Sequence, residues 1–238
     1  MKNNKMLKMA LASIVLSVSS YVNASLITTT FDNGDSLNNW SVDRAAPSSF
    51  DIVNNELVMN IAGPLNPNGG FYDTQGMKLD IGESTFMSID MFIDSAWSND
   101  ERYGGFWSTA YDGTDAISAY PILEFQGGNG GSVAAYDSNI GWAHFSSLFN
   151  FDAFNTFAFE ITGSGVEYFI NGTSVYTDSV SDVSYFGEVI LNAKYEGSDF
   201  AVRYDNLTYG SVDVPEPSTL AIFALGIMGL ASRRVKKQ

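Results

Sequence analysis

The sequence predicts an all-β domain, a β-sandwich, between two terminal targeting segments. From residue 25 onward, apolar and polar residues alternate in short runs that are separated by Gly, Asn, Asp and Ser, and helical periodicity is almost absent. Roughly a dozen such runs follow one another at regular spacing, which is typical of sandwiches and jelly rolls. We therefore expect one domain over residues 25–210, a length that supports a core without disulfide bonds.

Two pairs of runs predict β-hairpins. Phe50–Val53 and Glu56–Ile61 are joined by Asn54-Asn55, and Val166–Ile170 and Thr173–Tyr176 are joined by Asn171-Gly172. Asn and Gly suit these two-residue turns because both positions require positive φ. The remaining predicted strands are Phe86–Ile93, Gly105–Tyr111, Ile122–Gln126, Ser132–Tyr136, Phe154–Thr162, Phe186–Ala193 and Phe200–Tyr209.

The first 24 residues have the three parts of a secretory signal peptide. Lysines at positions 2, 5 and 8 precede the apolar run Met9–Val18, and Val22-Asn23-Ala24 supplies the small residues of a cleavage site. We expect cleavage between Ala24 and Ser25 and export across the inner membrane.

The last residues combine a short motif, an apolar run and a basic cluster. Pro215, Glu216 and Pro217 end a linker over residues 211–217, and residues 218–238 form the predicted transmembrane segment with its basic tail. Its apolar part, Leu220–Ala231, has 12 residues. As a helix it spans roughly 18 Å, whereas a bilayer core takes about 20 residues. Arg and Lys beyond the run favour a cytoplasmic C-terminus.

This tail resembles the PEP-CTERM sorting signal over about 25 residues, Val214 to Gln238. The resemblance implies that an exosortase-type enzyme removes the tail after transient anchoring in the inner membrane. The product would then reach the cell surface or an exopolysaccharide matrix. A plain tail anchor, or a helix that docks on a soluble domain, is the alternative.

Composition excludes several classes of function. All 27 Asp and Glu lie between residues 25 and 217 against five Lys and Arg there, a net charge of −22 that repels nucleic acid. Without Cys, thiolate nucleophiles, thiolate metal sites and disulfides are excluded, and with one His a three-His zinc site is excluded.

The domain resembles concanavalin A-like lectin and glucanase sandwiches in three places. Phe31-Asp-Asn-Gly-Asp35 followed by Trp40 looks like the first strand of that fold, and Phe157–Glu160 leads to a hairpin with an Asn-Gly tip. Val202–Tyr209 looks like the last strand, which pairs with the first. The resemblance implies the fold more than an activity.

Enzymes of this superfamily carry a Glu-x-Asp-x-Glu-like run on one strand, and this sequence has none. A retaining glycosidase needs two carboxyl groups about 5–5.5 Å apart. Asp90 and Asp94, or Glu124 facing Glu160 from another strand, are the pairs to consider. We expect the domain not to be an enzyme, with a polysaccharide-degrading glycoside hydrolase or lyase as the alternative.

Calcium is the one cofactor that the sequence suggests. In sandwiches that this domain resembles, structural Ca²⁺ can join the first strand to the last, where Asp32 and Asp205 lie, with Asp35 as a further ligand. Asx-turn caps at strand ends are the alternative, and they need no metal.

Four aromatic residues are candidates for glycan binding: Trp97, Tyr103, Trp107 and Trp142. A flat ring stacks on a sugar while Asp, Asn and Gln bond its hydroxyls. Polar neighbours predict exposure for Trp97 and Tyr103, whereas Trp107 and Trp142 are expected to fill the core. The predicted function is therefore non-catalytic glycan binding or a structural role in the surface or biofilm polysaccharide layer.

Overall fold

The computed structural model describes residues 25–63, 74–194 and 197–211. The signal peptide with its Ala24 cleavage residue, the Pro215-Glu216-Pro217 motif and the apolar tail lie outside the described residues. Among those that are described, no helix reaches the length and apolar content needed to cross a bilayer.

The described residues form sixteen strands and a short 3-10 helix, Ser95–Ser98. The strands are β1 (Ser25–Thr29), β2 (Trp40–Arg44), β3 (Ser49–Val53), β4 (Glu56–Ile61), β5 (Thr74–Ser84), β6 (Phe86–Ile93), β7 (Tyr103–Tyr111), β8 (Ile117–Ala119), β9 (Ile122–Gln126), β10 (Ser132–Asp137), β11 (Gly141–Phe145), β12 (Ala153–Thr162), β13 (Gly165–Ile170), β14 (Thr173–Asp178), β15 (Tyr185–Lys194) and β16 (Phe200–Ser211).

The strands form two antiparallel sheets of eight strands each, so the predicted β-sandwich is confirmed. Sheet A has the order β14-β13-β12-β6-β16-β4-β3, with β1 paired to β16. Sheet B has the order β11-β10-β9-β7-β15-β5-β2, with β8 paired to β7. Every pairing in both sheets is antiparallel, apart from one isolated bridge between Ala45 and Gln75.

Alternation along the strands builds the core between the sheets. In β6, Met87, Ile89, Met91 and Ile93 are buried, and the residues between them are partly exposed. Because successive side chains of a strand point to opposite faces, one face of β6 packs inward and the other faces solvent. Both predicted hairpins form, and Asn54, Asn55, Asn171 and Gly172 all have positive φ.

The start of the domain differs from the resemblance. The first strand is β1, and Phe31–Asp35 forms the turn that follows it. Phe31 adopts a φ of 50° and its ring is buried. This position is therefore apolar because its ring packs in the core, and not because it belongs to a strand. The expected pairing of first and last strands is confirmed, with Ser25 opposite Ser211 and Thr29 opposite Leu207.

Candidate functional site: a groove on the outer face of sheet B

The candidate site is a groove on the face of sheet B that points away from the core. It encloses about 510 Å³ and is called the Glu124 groove below. Its lining residues are Thr74, Tyr103, Trp107, Tyr120, Ile122, Glu124, Gln126, Tyr136, Trp142 and Lys194. Five of these ten are aromatic, which suits a flat ligand with apolar faces.

Strand β9 places Glu124 in the groove. Leu123 and Phe125 point into the core between the sheets, so Ile122, Glu124 and Gln126 point outward to the groove. Glu124 pairs with Gly105 of β7 on one side and with Ala134 of β10 on the other. Because glycine and alanine have little or no side chain, no large side chain stands beside the Glu124 carboxyl group on either neighbouring strand.

Glu124 is buried although it lines the groove, since only 7% of it is exposed. Burial disfavours the charged carboxylate and raises the pKa of Glu124 to about 7. The hydrogen bond from Gln126 Nε2, 3.0 Å from Glu124 Oε1, and the charge of Lys194 lower the pKa and only partly offset that effect. Glu124 is therefore a carboxyl group that holds its proton to near neutral pH, as a proton donor requires.

Tyr136 of β10 and Trp142 of β11 form an aromatic wall of the groove, and hydrogen bonds from sheet A support it. Tyr136 and Trp142 are opposite each other in the sheet, with ring centroids 5.1 Å apart, and Trp142 is 42% exposed. The Tyr168 hydroxyl, from sheet A, donates to the Tyr136 carbonyl at 2.9 Å. The neighbouring Asp137 accepts a 2.7 Å hydrogen bond from the Tyr176 hydroxyl. Both bonds tie this wall to the opposite sheet.

On the other side, the groove floor is formed by β7 and β15. Trp107 lies opposite Ile190 and contacts Ile122 on the outer face of sheet B, apart from the main core. The Lys194 ammonium is 5.3 Å from the centre of the Tyr103 ring. From the core side, the Tyr204 hydroxyl donates to the Gly105 carbonyl at 3.0 Å, which fixes the backbone under the groove.

The structure brings three of the four glycan-binding candidates together: Tyr103, Trp107 and Trp142. The prediction that Trp97 is exposed is wrong. Only 2% of it is exposed, and its ring packs against Phe125 and Phe200 in the core. Its polar sequence neighbours form the surface of the turn while the ring points inward. The expectation that Trp107 and Trp142 fill the core between the sheets is also wrong.

The carboxylate pairs considered from sequence do not form in the groove. Glu124 belongs to sheet B and Glu160 to sheet A, whereas Asp90 lies on β6 of sheet A and Asp94 caps the 3-10 helix that follows β6. Among the described residues that line the groove, Glu124 is the only carboxylate. From sequence, Glu124 is considered only as the partner of Glu160, although a lone acid between apolar neighbours in Ile122–Gln126 indicates an unusual environment.

The predicted calcium ligands do not gather into a metal-binding group. Over the described ranges, no cluster of three or more His, Cys, Asp or Glu side chains is placed to hold a metal ion. Instead the backbone N–H of Asp32 donates to Asp35 Oδ2 at 3.0 Å, within the turn that follows β1. Burial raises the pKa of Asp205, and the nearby carboxylates of Asp90, Glu56 and Asp32 raise it further, against a hydrogen bond from the Asn206 N–H. Calcium binding stays a prediction.

Residues 213–236 match the PEP-CTERM protein-sorting motif, so the chain carries a signal for export and membrane-associated sorting. No curated protein sequence matches the chain.

Several solved structures share the fold. The β-glucanase of Bacillus licheniformis is 14% identical with a TM-score of 0.55, over 79% of this chain and 99% of the enzyme. The catalytic domain of the endo-1,3-β-glucanase (laminarinase) of Thermotoga petrophila is 16% identical with a TM-score of 0.56, over 80% and 99%. Crh5 transglycosylase is 11% identical with a TM-score of 0.59, over 80% and 85%.

These neighbours correct the expectation that the domain is not an enzyme, because the fold is, in each of them, an enzyme fold. At this level of identity the likeness shows the fold alone. The chain therefore carries a PEP-CTERM sorting motif, which is a signal for export, and its domain has the jelly-roll sandwich fold that is also found in glucanases.

Proposed function

We propose that this protein is an exported polysaccharide-active enzyme that binds a glycan chain in the Glu124 groove and uses Glu124 as a proton donor. The observation that carries the proposal is a buried carboxyl group, with its pKa raised to about 7, at the floor of a groove with five aromatic residues. As the bond between the sugar carbon and the glycosidic oxygen breaks, a carboxylic acid with a raised pKa supplies the proton that this oxygen needs, and a solvent water adds to the carbon and releases a proton.

The surrounding groups fit a neutral sugar chain. Trp142 and Tyr120 offer exposed rings for the apolar faces of pyranoses, and Gln126 offers an amide for hydroxyls. The solved structures with the same fold include enzymes that act on β-1,3-glucan and on mixed β-1,3-1,4-glucan. We take these β-glucans as the first substrates to test. The assignment is limited to Glu124, since no second carboxylate lines the groove within the described residues.

The sorting motif supports a place for this activity outside the inner membrane. An exosortase-type enzyme would recognise Pro215-Glu216-Pro217 and release the domain to the cell surface or exopolysaccharide layer. There a groove that accepts polysaccharide would meet its substrate in the matrix. The net charge of residues 25–217 keeps such a domain soluble among neutral glycans.

The test compares the wild-type protein with Glu124→Gln on soluble β-1,3-glucan and mixed-linkage β-glucan. New reducing ends report hydrolysis, and an unsaturated product seen by ultraviolet absorption reports a lyase. We expect hydrolysis by the wild type and a loss of about 10²–10⁴-fold in Glu124→Gln, the usual contribution of a general acid. Glu160→Gln, on the other sheet, is the matched control and keeps full activity. Glucan binding without any cleavage would overturn the catalytic assignment.

A further inference from the structure

One side of the sandwich ends in two strands that have almost no charged residues. β11 is the last strand of sheet B on this side, and β14 is the last strand of sheet A. The segments next to them are in contact, since the side-chain amide of Asn139 donates to Ser181 Oγ at 3.2 Å. Residues 138–151, which include β11, contain no Asp, Glu, Lys or Arg, and neither do residues 171–177, which include all but the last residue of β14.

The opposite side of the sandwich does carry charges. There the last strands of the two sheets are β2 and β3, which contain Asp43, Arg44 and Asp51. The free edge of a strand presents unpaired N–H and C=O groups to any other strand, and charged side chains on the edge commonly prevent such pairing. Because β11 and the exposed part of β14 lack these charges, their edges are open to pairing with a further strand.

The loop before β11 shows which backbone groups of this strand face outward. The Ile140 N–H donates to the Asp137 carbonyl at 3.3 Å, and Gly141 has a φ of 96°, as in a three-residue hairpin loop. Hydrogen-bonded and non-hydrogen-bonded pairs alternate along an antiparallel ladder. Counted from Gly141, whose pair with Asp137 closes the hairpin, the N–H and C=O groups of Trp142 and His144 point to the free edge.

The charge of the domain favours a second copy of this chain as the partner. Residues 25–217 carry a net charge of −22, so two copies repel each other wherever acidic surfaces meet. That repulsion is weakest at the uncharged side, whereas a basic partner would bind better at the acidic surfaces. Ile140, 74% exposed, and Val180, 66% exposed, lie in the loops next to β11 and β14 and add apolar surface that an interface can bury.

We propose that the edge of β11 is a dimer interface, at which β11 pairs antiparallel with β11 of a second copy about a two-fold axis. The axis passes through Ala143, the middle residue of the strand, so that all five residues of Gly141–Phe145 are paired. Trp142 then lies opposite the second copy's His144, and the outward N–H and C=O groups of both residues are bonded. The dimer continues sheet B across the axis, whether or not the Glu124 groove is catalytic.

The test measures the molar mass of the exported wild-type protein by sedimentation equilibrium over a range of protein concentrations. We expect a reversible dimer whose dissociation constant falls as salt rises from about 0.05 to 0.5 M, because salt screens the repulsion between acidic copies. His144→Glu places a new charge on each side of the axis and should raise the dissociation constant at least about tenfold. His144→Gln has the same size without the charge and should leave the dissociation constant unchanged.

Val42→Glu is the matched control for added charge, because Val42 is exposed on β2, at the other edge of sheet B. It should raise the dissociation constant far less than His144→Glu does. His144 is also exposed, so its two variants should keep the wild-type melting temperature. A wild-type protein that stays monomeric at every concentration would overturn the proposal, and so would a dimer that His144→Glu leaves intact. Equal weakening by His144→Glu and Val42→Glu would place the interface elsewhere.

Discussion

Gln126 Nε2 donates a hydrogen bond to Glu124 Oε1 at 3.0 Å, from the next outward-facing position of β9. The bond orients the carboxyl group and favours its charged form. Burial of Glu124 acts in the opposite direction and is stronger, so the pKa rises to about 7 instead of falling. The balance between the Gln126 hydrogen bond and burial sets the pKa of Glu124. That pKa determines both whether Glu124 can donate a proton and how Glu124 contributes to the stability of the protein.

Glu124→Gln should stabilise the protein at alkaline pH. The pKa of Glu124 rises from 4.5 to about 7 on folding, so its contribution to stability is full below pH 4.5 and is lost as the pH rises through 7. A glutamine has no such dependence. We expect equal free energies of unfolding near pH 4, and an advantage of about 3 kcal/mol for the variant at pH 8. Urea unfolding at both pH values measures it, and equal stability at pH 8 would mean that the carboxyl is not desolvated.

Activity should fall as Glu124 loses its proton, so kcat/KM against pH should show a basic limb near 7. Gln126→Ala and Lys194→Met each remove a group that lowers this pKa, and both should move the limb to higher pH. His144, on β11 outside the groove lining, provides the control: His144→Gln should leave the limb in place. A basic limb that shifts in His144→Gln but stays in place in Gln126→Ala would show that a group other than Glu124 controls the activity.

The two tryptophans Trp97 and Trp142 should respond in opposite ways to truncation. Trp97→Ala opens a cavity in the core beside Phe125 and Phe200, and should cost about 3–5 kcal/mol of unfolding free energy. Trp142→Ala removes an exposed ring, and should change stability by no more than about 0.5 kcal/mol. Its glucan affinity should fall about tenfold. Thermal unfolding and calorimetry check both, and a reversed order would place Trp142 in the core.

Tyr176→Phe should weaken the link between the two sheets. It removes the 2.7 Å hydrogen bond to Asp137, whose side chain is buried, and should cost about 1–3 kcal/mol. Burial and Asp137 raise the pKa of this tyrosine to about 12, so the bond persists over the neutral range. Tyr185→Phe is the control, because its partner Asp115 is exposed, and we expect little change there. Equal losses in the two variants would contradict the role of burial.

The signal peptide and the sorting motif each predict one cut in the native host. Mass spectrometry of the exported protein should find an N-terminus at Ser25 and a C-terminus close to Pro215-Glu216-Pro217. Replacing these three residues with alanine should retain the basic tail and keep the protein with the inner membrane. An exported product that still ends at Gln238 would contradict exosortase-type processing.

Turn chemistry and strand alternation explain why so much of the fold can be predicted from sequence. Phe86–Ile93 and Ile122–Gln126 are predicted with their observed limits, because local alternation and flanking turn residues mark both ends. Strand β5, Thr74–Ser84, was not predicted although it is 11 residues long. Its Met77, Leu79 and Ile81 alternate with glycine and charged residues, a weak pattern whose strand is stabilised by pairing with β2 and β15.

The site is less predictable because it depends on which face a residue occupies. Polar residues flank Trp97 in the sequence, yet its ring enters the core, whereas Trp107 lies on the outer face of sheet B. Glu124 becomes a candidate acid only when Gly105 and Ala134 are known to flank it across the sheet. Such cross-strand neighbours are set by register between distant segments, which no local pattern records.

The role of Glu124 as proton donor is tested by glucan hydrolysis by the wild-type protein and by Glu124→Gln, assayed side by side at pH 6. We expect release of reducing ends by the wild type and by Glu160→Gln, and a loss of about 10²–10⁴-fold in Glu124→Gln with glucan binding retained. Equal rates in the wild type and Glu124→Gln would contradict it.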